Sequence, residues 1–197
     1  MQFRETPLLG AFVVQIEAHA DSRGFFARTW CAREFAAHGL RDVCVQASVS
    51  RNERRGTVRG MHMQLPPSRE AKLVRATRGA IYDVIVDLRP DSPTYLRHFG
   101  IELGAQSFDA LYIPPMFAHG FETLADETEV LYQMSDYFAP ELGCGWRWND
   151  AVFGIEWPIA VPGAIHPRDA GYANFDRQAY EVALSEATRA AAHRADA

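Results

Sequence analysis

The sequence predicts an all-β protein, built as a sandwich or a barrel. Short apolar runs recur along the chain at roughly ten-residue spacing, as in proteins of this class. Several runs alternate polar and apolar residues, which is typical of half-buried strands. Turn signals such as Arg78-Gly79, Pro114-Pro115 and Ala139-Pro140 separate the runs.

The elements follow from this pattern in chain order. Strands are predicted at residues 12–16, 72–75, 81–88, 100–103, 110–113 and 128–132. The segment from Gly56 to Pro67 is predicted to be a strand that ends in a Pro-Pro turn. Helix is predicted at two places only: a short helix at 32–38, and a longer one at 177–194 with Tyr180, Leu184 and Ala187 on one face.

Length and charge limit the classes of protein that fit. The 197 residues suffice for one well-buried domain, so we expect a single domain over 1–197, with a core at about 3–176 and a C-terminal helix and tail at 177–197. The net charge of −5 argues against a nucleic-acid binder. No apolar run is long enough to cross a bilayer, and no secretory signal is present, so we expect no membrane partner. Three cysteines without metal-like spacing, Cys31, Cys44 and Cys144, indicate free thiols in the cytoplasm.

The segment from Gly56 to Pro67, with Lys72 shortly after it, carries the densest chemistry. It brings an arginine, a histidine and a lysine together within one short segment of the chain. Because residues at i and i+2 share a face of a strand, we expect Gly60, His62 and Gln64 on one face and Arg59, Met61 and Met63 on the other. Imidazole titrates near neutral pH, so a histidine between cations suits an anionic substrate or proton abstraction.

The chain resembles the dTDP-4-dehydrorhamnose 3,5-epimerase family over residues from about 3 to 176. The segments that carry the resemblance stand in the family's order: 21–26 (DSRGFF), 56–64 (GTVRGMHMQ), 72–75 (KLVR), 82–89 (YDVIVDLR), 113–121 (IPPMFAHGF), 131–132 (LY) and 148–150 (WND). The resemblance implies a cupin-type double-stranded β-helix, or jelly roll. It further implies a homodimer that needs no cofactor and acts on a nucleotide-linked 4-keto-6-deoxyhexose.

The resemblance also implies the catalytic roles. Epimerisation beside a ketone needs a base, a group that stabilises the enolate oxygen, and an acid on the opposite face of the sugar. His62 matches the family's base and Asp169 the carboxylate that orients it. Lys72 matches the residue at the C4 oxygen, and Tyr132 the opposite-face acid. Asp83 is an alternative partner for His62.

A second set of residues matches positions that hold the sugar nucleotide. Guanidinium groups bind diphosphates in a bidentate manner, and an aromatic ring stacks on a base. The residues are Arg23, Phe26, Arg28, Gln46, Ser48, Arg59, His119, Phe138 and Arg168. Three positions depart from the family: Arg28 and Gly143 stand where the family carries Glu, and Ser48 where it carries Asn. We therefore expect altered sugar or nucleotide specificity.

A catalytic metal is not expected. Many cupins bind a metal through clustered His and Glu, but the usual His-x-His pair is absent, since the strand reads His62-Met63-Gln64. His119, with Glu70 as one more candidate ligand, leaves the set below the usual ligand count.

Three alternatives to a 3,5-epimerase share part of this pattern. A mono-epimerase on another nucleotide-linked 4-keto sugar would keep the same acid and base. A non-catalytic nucleotide-sugar-binding cupin would need neither of them, so His62, Lys72 and Tyr132 argue against it. A metal-dependent cupin enzyme fails on the ligand count.

Overall fold

A computed structural model describes residues 1–195, and within them the chain forms fourteen strands and three α-helices. The strands are β1 Gln2–Glu5, β2 Phe12–Gln15, β3 His19–Asp21, β4 Gly24–Phe26, β5 Gln46–Asn52, β6 Thr57–Gln64, β7 Lys72–Arg78, β8 Ala80–Asp87, β9 His98–Gly104, β10 Ala110–Ile113, β11 Phe117–Thr123, β12 Thr128–Met134, β13 Gly143–Gly145 and β14 Ala164–Ile165. The helices are α1 Ala32–Ala37, α2 Pro167–Ala170 and α3 Arg177–Ala195, and a 3₁₀ turn spans Pro140–Leu142.

Two antiparallel sheets form the body of the protein. Sheet I has the strand order β1-β2-β10-β7-β12-β5, and sheet II has the order β13-β6-β11-β8-β9, with β14 pairing in parallel to β6. The apolar core between them takes side chains from both sheets, such as Val74 and Val130 from sheet I and Ile85 and Phe121 from sheet II. This two-sheet architecture confirms the predicted jelly roll, and it gives the molecule an interior face on each sheet.

Helices cover the outer faces of both sheets. The long helix α3 confirms the prediction for residues 177–194: Tyr180 is buried, Leu184 packs beside it, and the Tyr180 hydroxyl donates to the carbonyl of Leu88 at 2.7 Å. Helix α1 confirms the prediction for 32–38, and its Phe35 packs against Leu73 on the outer face of sheet I. The helices therefore cover the apolar outer surface of each sheet, and they do not cover the space between the two sheets.

The prediction of helix at two places only is wrong. The four-residue helix α2 lies just before α3 and carries Asp169. Four residues are too few to show a helical period, but Pro167 at the first helical position is a start signal. The ring of His166 accepts from the Arg168 amide at 3.2 Å and caps the turn.

The predicted division of faces along β6 holds for His62 against Met61 and Met63 but is wrong for Arg59. His62 pairs with His119, but Arg59 pairs with Phe121, so three steps along β6 match two steps along β11. This β-bulge inserts one extra residue, which brings Arg59 and His62 to the same interior face. Met61 and Met63 remain on the outer face, packed in the cluster under α3.

The single-domain organisation over 1–197 stays a prediction, and residues 196 and 197 of its expected tail lie outside the described residues. Among the helices of residues 1–195, none has both the length and the apolar character that crossing a bilayer requires.

Gly60 forms the bulge, and replacing it tests how much the fold depends on it. Its φ is +128°, and an added Cβ would lie 2.5 Å from Gly120 Cα. We expect Gly60→Ala to lower the free energy of unfolding by about 2 kcal/mol or more, because the strain and the clash add. Urea denaturation measures this.

Gly104→Ala is the matched control, because a Cβ added there would meet nothing within 4 Å. We expect it to change the unfolding free energy by less than about 0.5 kcal/mol. Equal stability of the two variants would contradict a structural role for the bulge.

Candidate active site

A cleft of about 460 Å³ opens at the mouth between the two sheets. Four of the residues that the sequence singled out for catalysis or binding line it: His62, Lys72, Phe138 and Arg168. The remaining lining residues are Met63, Gln64, Glu70, Pro140, Gly143, Cys144 and Tyr172. The cleft therefore brings together the residues predicted as the base, the cation and the stacking ring, whereas Tyr132 does not line it.

His62 and Asp169 form a hydrogen-bonded pair at the cleft wall. His62 Nε2 lies 2.9 Å from Asp169 Oδ1, although the two residues are 107 positions apart in the chain. Asp83, the alternative partner, lies elsewhere, so Asp169 is the carboxylate that meets His62. The imidazole is one-third exposed toward the cleft, whereas Asp169 is almost fully buried.

Asp169 is an ionised carboxylate. Burial by itself would raise its pKa, but the hydrogen bond and charge of His62, the Gly60 amide and Arg168 outweigh burial and lower the pKa to about 2. The Gly60 amide donates to Oδ2 at 3.2 Å and Arg168 Nε to Oδ1 at 3.2 Å. Because an ionised carboxylate only accepts, His62 Nε2 carries the hydrogen of this bond, so in the neutral imidazole Nδ1 is the nitrogen that can accept a proton.

Sheet I supplies an ammonium to the cleft, in addition to the Arg168 guanidinium. Lys72 begins β7, and its side chain is largely buried. The ammonium Nζ lies 3.1 Å from Glu70 Oε2. His62 belongs to sheet II, so the imidazole and the ammonium reach the cleft from opposite sheets.

Tyr132 stands deeper on sheet I, beside a second histidine–carboxylate pair. Its ring meets the ring of His119 edge-on at a centroid distance of 6.0 Å. His119 Nε2 lies 2.7 Å from Asp83 Oδ1, and both residues are buried. Burial and the nearby Asp83 raise the pKa of Tyr132, and Arg59 lowers it by less. The phenol therefore stays protonated at neutral pH and can act as a donor.

Two amides anchor the loop that carries Phe138. The Phe138 amide donates to Gln46 Oε1 at 2.7 Å, and the Ala139 amide donates to Gln64 Oε1 at 2.7 Å. The Phe138 ring remains 63% exposed at the rim of the cleft. An exposed, backbone-anchored ring at the rim suits stacking on a planar ligand.

Arg59 and Ser48 lie on the interior side of the sheets without lining the cleft. The guanidinium of Arg59 donates through Nε to Asn52 Oδ1 at 2.8 Å, which leaves its terminal nitrogens available. Ser48 is exposed on the edge strand β5 and pairs with Tyr132 of β12.

The hairpin β3–β4 keeps three predicted binding residues away from the cleft. Arg23 pairs with Asp21 at the hairpin tip at 2.6 Å. Phe26 is 78% exposed, and Arg28 just beyond the hairpin pairs with Glu34 at 3.3 Å. Within one chain these residues do not join His62 and Lys72, and their binding roles stay predictions.

Sequence reasoning missed several residues of the site. Tyr172, whose ring lies 5.8 Å from that of His62, has no local signal beyond its nearness to Asp169 in the chain. Gln64 is predicted on the His62 face without a role, and the pairing of Asp83 with His119 has no signal in the sequence. Gly143, one of the three departures from the family, lines the cleft.

No metal centre is apparent among residues 1–195, where no three His, Cys, Asp or Glu side chains converge as ligands. The cleft carboxylate Glu70 instead meets Lys72. Independence of metals and cofactors stays a prediction.

The arrangement can move protons on both sides of a bound molecule. An imidazole with a free nitrogen enters from sheet II, and an ammonium and a protonated phenol stand on sheet I. The jelly roll and this donor–acceptor set together suit acid–base chemistry on a bound molecule.

Comparisons with known proteins identify the family of this chain. Residues 5–177 match the family model described as dTDP-4-dehydrorhamnose 3,5-epimerase. The relative of that name from Methanothermobacter thermautotrophicus is 39% identical over 160 residues, which cover 81% of this chain and 85% of the relative. The chain therefore belongs to the dTDP-4-dehydrorhamnose 3,5-epimerase family, which confirms the resemblance. It is an isomerase, an epimerase of nucleotide sugars in deoxysugar biosynthesis.

Solved structures confirm the cupin-type fold. The Bacillus anthracis dTDP-4-dehydrorhamnose 3,5-epimerase, solved with TDP and PPi bound, superposes with a TM-score of 0.85 at 36% identity, covering 88% of this chain and 99% of that one. ChmJ, a 3'-monoepimerase from Streptomyces bikiniensis solved with dTDP-quinovose, superposes with a TM-score of 0.83 at 27% identity, covering 92% and 91%.

Proposed function

We propose that the chain inverts C3, C5 or both in a nucleotide-linked 4-keto-6-deoxyhexose, by proton abstraction on one face of the sugar and reprotonation on the other. The observation that carries the proposal is the pair of His62 on sheet II with Asp169 on α2, opposed by Lys72 and Tyr132 on sheet I. A sugar ring between the sheets would meet a base and an acid on opposite faces.

His62 acts as the base in this proposal. Its Nδ1 takes the proton from the carbon beside the C4 ketone, and the electron pair of the broken C–H bond moves to the C4 oxygen. The imidazolium that forms is stabilised by Asp169 through the Nε2 hydrogen bond. The carboxylate keeps its charge throughout, because its pKa lies near 2.

Lys72 and Tyr132 complete the reaction from sheet I. The Lys72 ammonium donates to the C4 oxygen, where the enolate charge develops. Tyr132 then returns a proton to the carbon from the opposite face. The His62 imidazolium releases its proton to solvent, and Tyr132 recovers one from solvent. Its raised pKa keeps the phenol in the donor form, and a weak acid suits proton transfer to a carbanion.

The substrate in this proposal carries a nucleoside diphosphate. The bound TDP of the Bacillus anthracis relative supports this assignment. Phe138 at the rim would stack on the base, while Arg168, which also lines the cleft, and Arg59 on β6 would meet the diphosphate. Because Arg28, Ser48 and Gly143 depart from the family pattern, we propose no particular base or sugar.

We also propose a homodimer as the working form. Arg23 and Phe26 sit on the exposed hairpin β3–β4, and Val49 on the edge strand β5 is 57% exposed. A second copy covering this surface would bury the exposed aromatic ring and could receive the hairpin residues at its own cleft. The three free thiols fit the cytoplasm, which we propose as the location.

Deuterium exchange tests the proposed reaction. Proton NMR in D₂O with 4-keto-6-deoxy nucleotide sugars should show solvent deuterium entering at C3, C5 or both. We expect His62→Ala to slow exchange at each carbon by about 10²- to 10⁴-fold, because the group that accepts the proton is lost.

The carbons that exchange distinguish a 3,5-epimerase from a mono-epimerase. The exposed His38, at the end of α1 on the outer face of sheet I, gives the control variant His38→Ala, which should keep wild-type exchange. Near-wild-type exchange in His62→Ala would refute the assignment of the base, and no exchange by the wild type on any such sugar would refute the proposed function.

Tyr132→Phe should separate exchange from inversion. Without the phenol, His62 can still remove a proton and return deuterium on its own face. We therefore expect deuterium to enter with retained configuration, while epimerised product falls at least about 10²-fold. Chiral analysis of the recovered sugar measures this, and full inversion by the variant would show that the acid lies elsewhere.

A further inference from the structure

Glu70 is a carboxylate of the cleft wall that the proposed reaction leaves without a role. It precedes β7 by two residues, lines the cleft, and has a side chain only 8% exposed. A buried carboxylate is costly unless a partner compensates its charge. Its partner is the ammonium of Lys72, at 3.1 Å.

The partner of Glu70, Lys72, is the single lysine of the sequence, which holds 20 Lys and Arg residues in total. An ammonium is a compact donor with three hydrogens on a flexible four-carbon stem, whereas a guanidinium is a planar fork. One hydrogen can point to Glu70 while the others remain for a ligand. A fixed carboxylate therefore removes the freedom that the stem would otherwise give the ammonium.

Glu70 is itself held by a hydrogen-bonded chain. Its amide lies 3.3 Å from the hydroxyl oxygen of buried Ser68. That hydroxyl donates to Asp136 Oδ2 at 3.2 Å and accepts from Gln64 Nε2 at 3.4 Å. Gln64 lies two residues from His62 on β6, so the backbone of Glu70 is tied to the strand that carries the proposed base.

We propose that Glu70 is a positioning residue that holds the Lys72 ammonium at the cleft wall, aimed at the C4 oxygen of the sugar. This inference rests on the proposed function. Because the carboxylate acts through Lys72, its loss should slow proton abstraction rather than weaken substrate binding. A carboxylate that bound the sugar directly would change KM instead.

Glu70→Gln and Glu70→Ala test this with the full chain. We expect Glu70→Ala to lower kcat for exchange by about 10- to 100-fold with KM within about threefold, because a loosely held group loses reactive geometry. Glu70→Gln keeps a hydrogen-bond acceptor and should recover most of the loss. Glu141→Gln, an exposed change near the cleft rim, should behave as wild type. Wild-type kcat in folded Glu70→Ala, or an effect on KM alone, would overturn the proposal.

The single lysine allows a test that does not depend on activity. Protein grown with ¹⁵Nζ-lysine gives one side-chain ammonium signal, and we expect Glu70→Gln to shift and broaden it while Glu141→Gln leaves it unchanged. An unchanged signal in Glu70→Gln would overturn the contact, even if Glu70→Ala does not fold. If the wild type exchanges no sugar proton, the proposed function fails, and this signal still decides whether Glu70 holds Lys72.

Discussion

The geometry of the site depends on the hydrogen bond between His62 and Asp169. It ties the interior of β6 to α2, a four-residue helix more than a hundred residues away in the chain. The same carboxylate accepts from the Gly60 amide, so the bulge that turns His62 inward and the helix that carries Asp169 fix each other. Since the pKa of Asp169 is lowered to about 2, its contribution to stability is complete above the ordinary carboxyl range, near pH 4, and is lost as the pH falls toward 2.

The two-sheet architecture explains why this fold suits epimerisation. Inversion at a carbon needs a base and an acid on opposite faces of the sugar. The two sheets of a jelly roll have interior faces that lie opposite each other. His62 lies on one of them, and Lys72 and Tyr132 lie on the other. The His119–Asp83 pair spans β11 and β8 and meets the Tyr132 ring edge-on. The proposed base His62 thus belongs to one histidine–carboxylate pair, and the proposed acid Tyr132 lies beside a second, buried pair.

Local sequence patterns predict much of the fold, because the spacing of apolar residues in the sequence reveals strands such as β8 and β10 and the helix α3. They cannot predict the bulge at Gly60, since one extra residue moves Arg59 to the face of His62 without changing the sequence pattern. Resemblance assigns Asp169 to His62 and leaves Asp83 open, and only the packing of α2 separates the two. The sequence offers Glu70 only as a candidate metal ligand. No local pattern reveals that its carboxylate pairs with the Lys72 ammonium.

The central claim is that Asp169 makes His62 a base, and Asp169→Asn tests it most directly. The amide keeps the shape of the side chain but loses the charge that stabilises the imidazolium. Deuterium exchange at C3 and C5, followed by NMR in D₂O at pH 7, should slow by about 10²- to 10⁴-fold with KM nearly unchanged and cooperative unfolding retained. Exchange within threefold of the wild type in a folded Asp169→Asn variant would contradict the account.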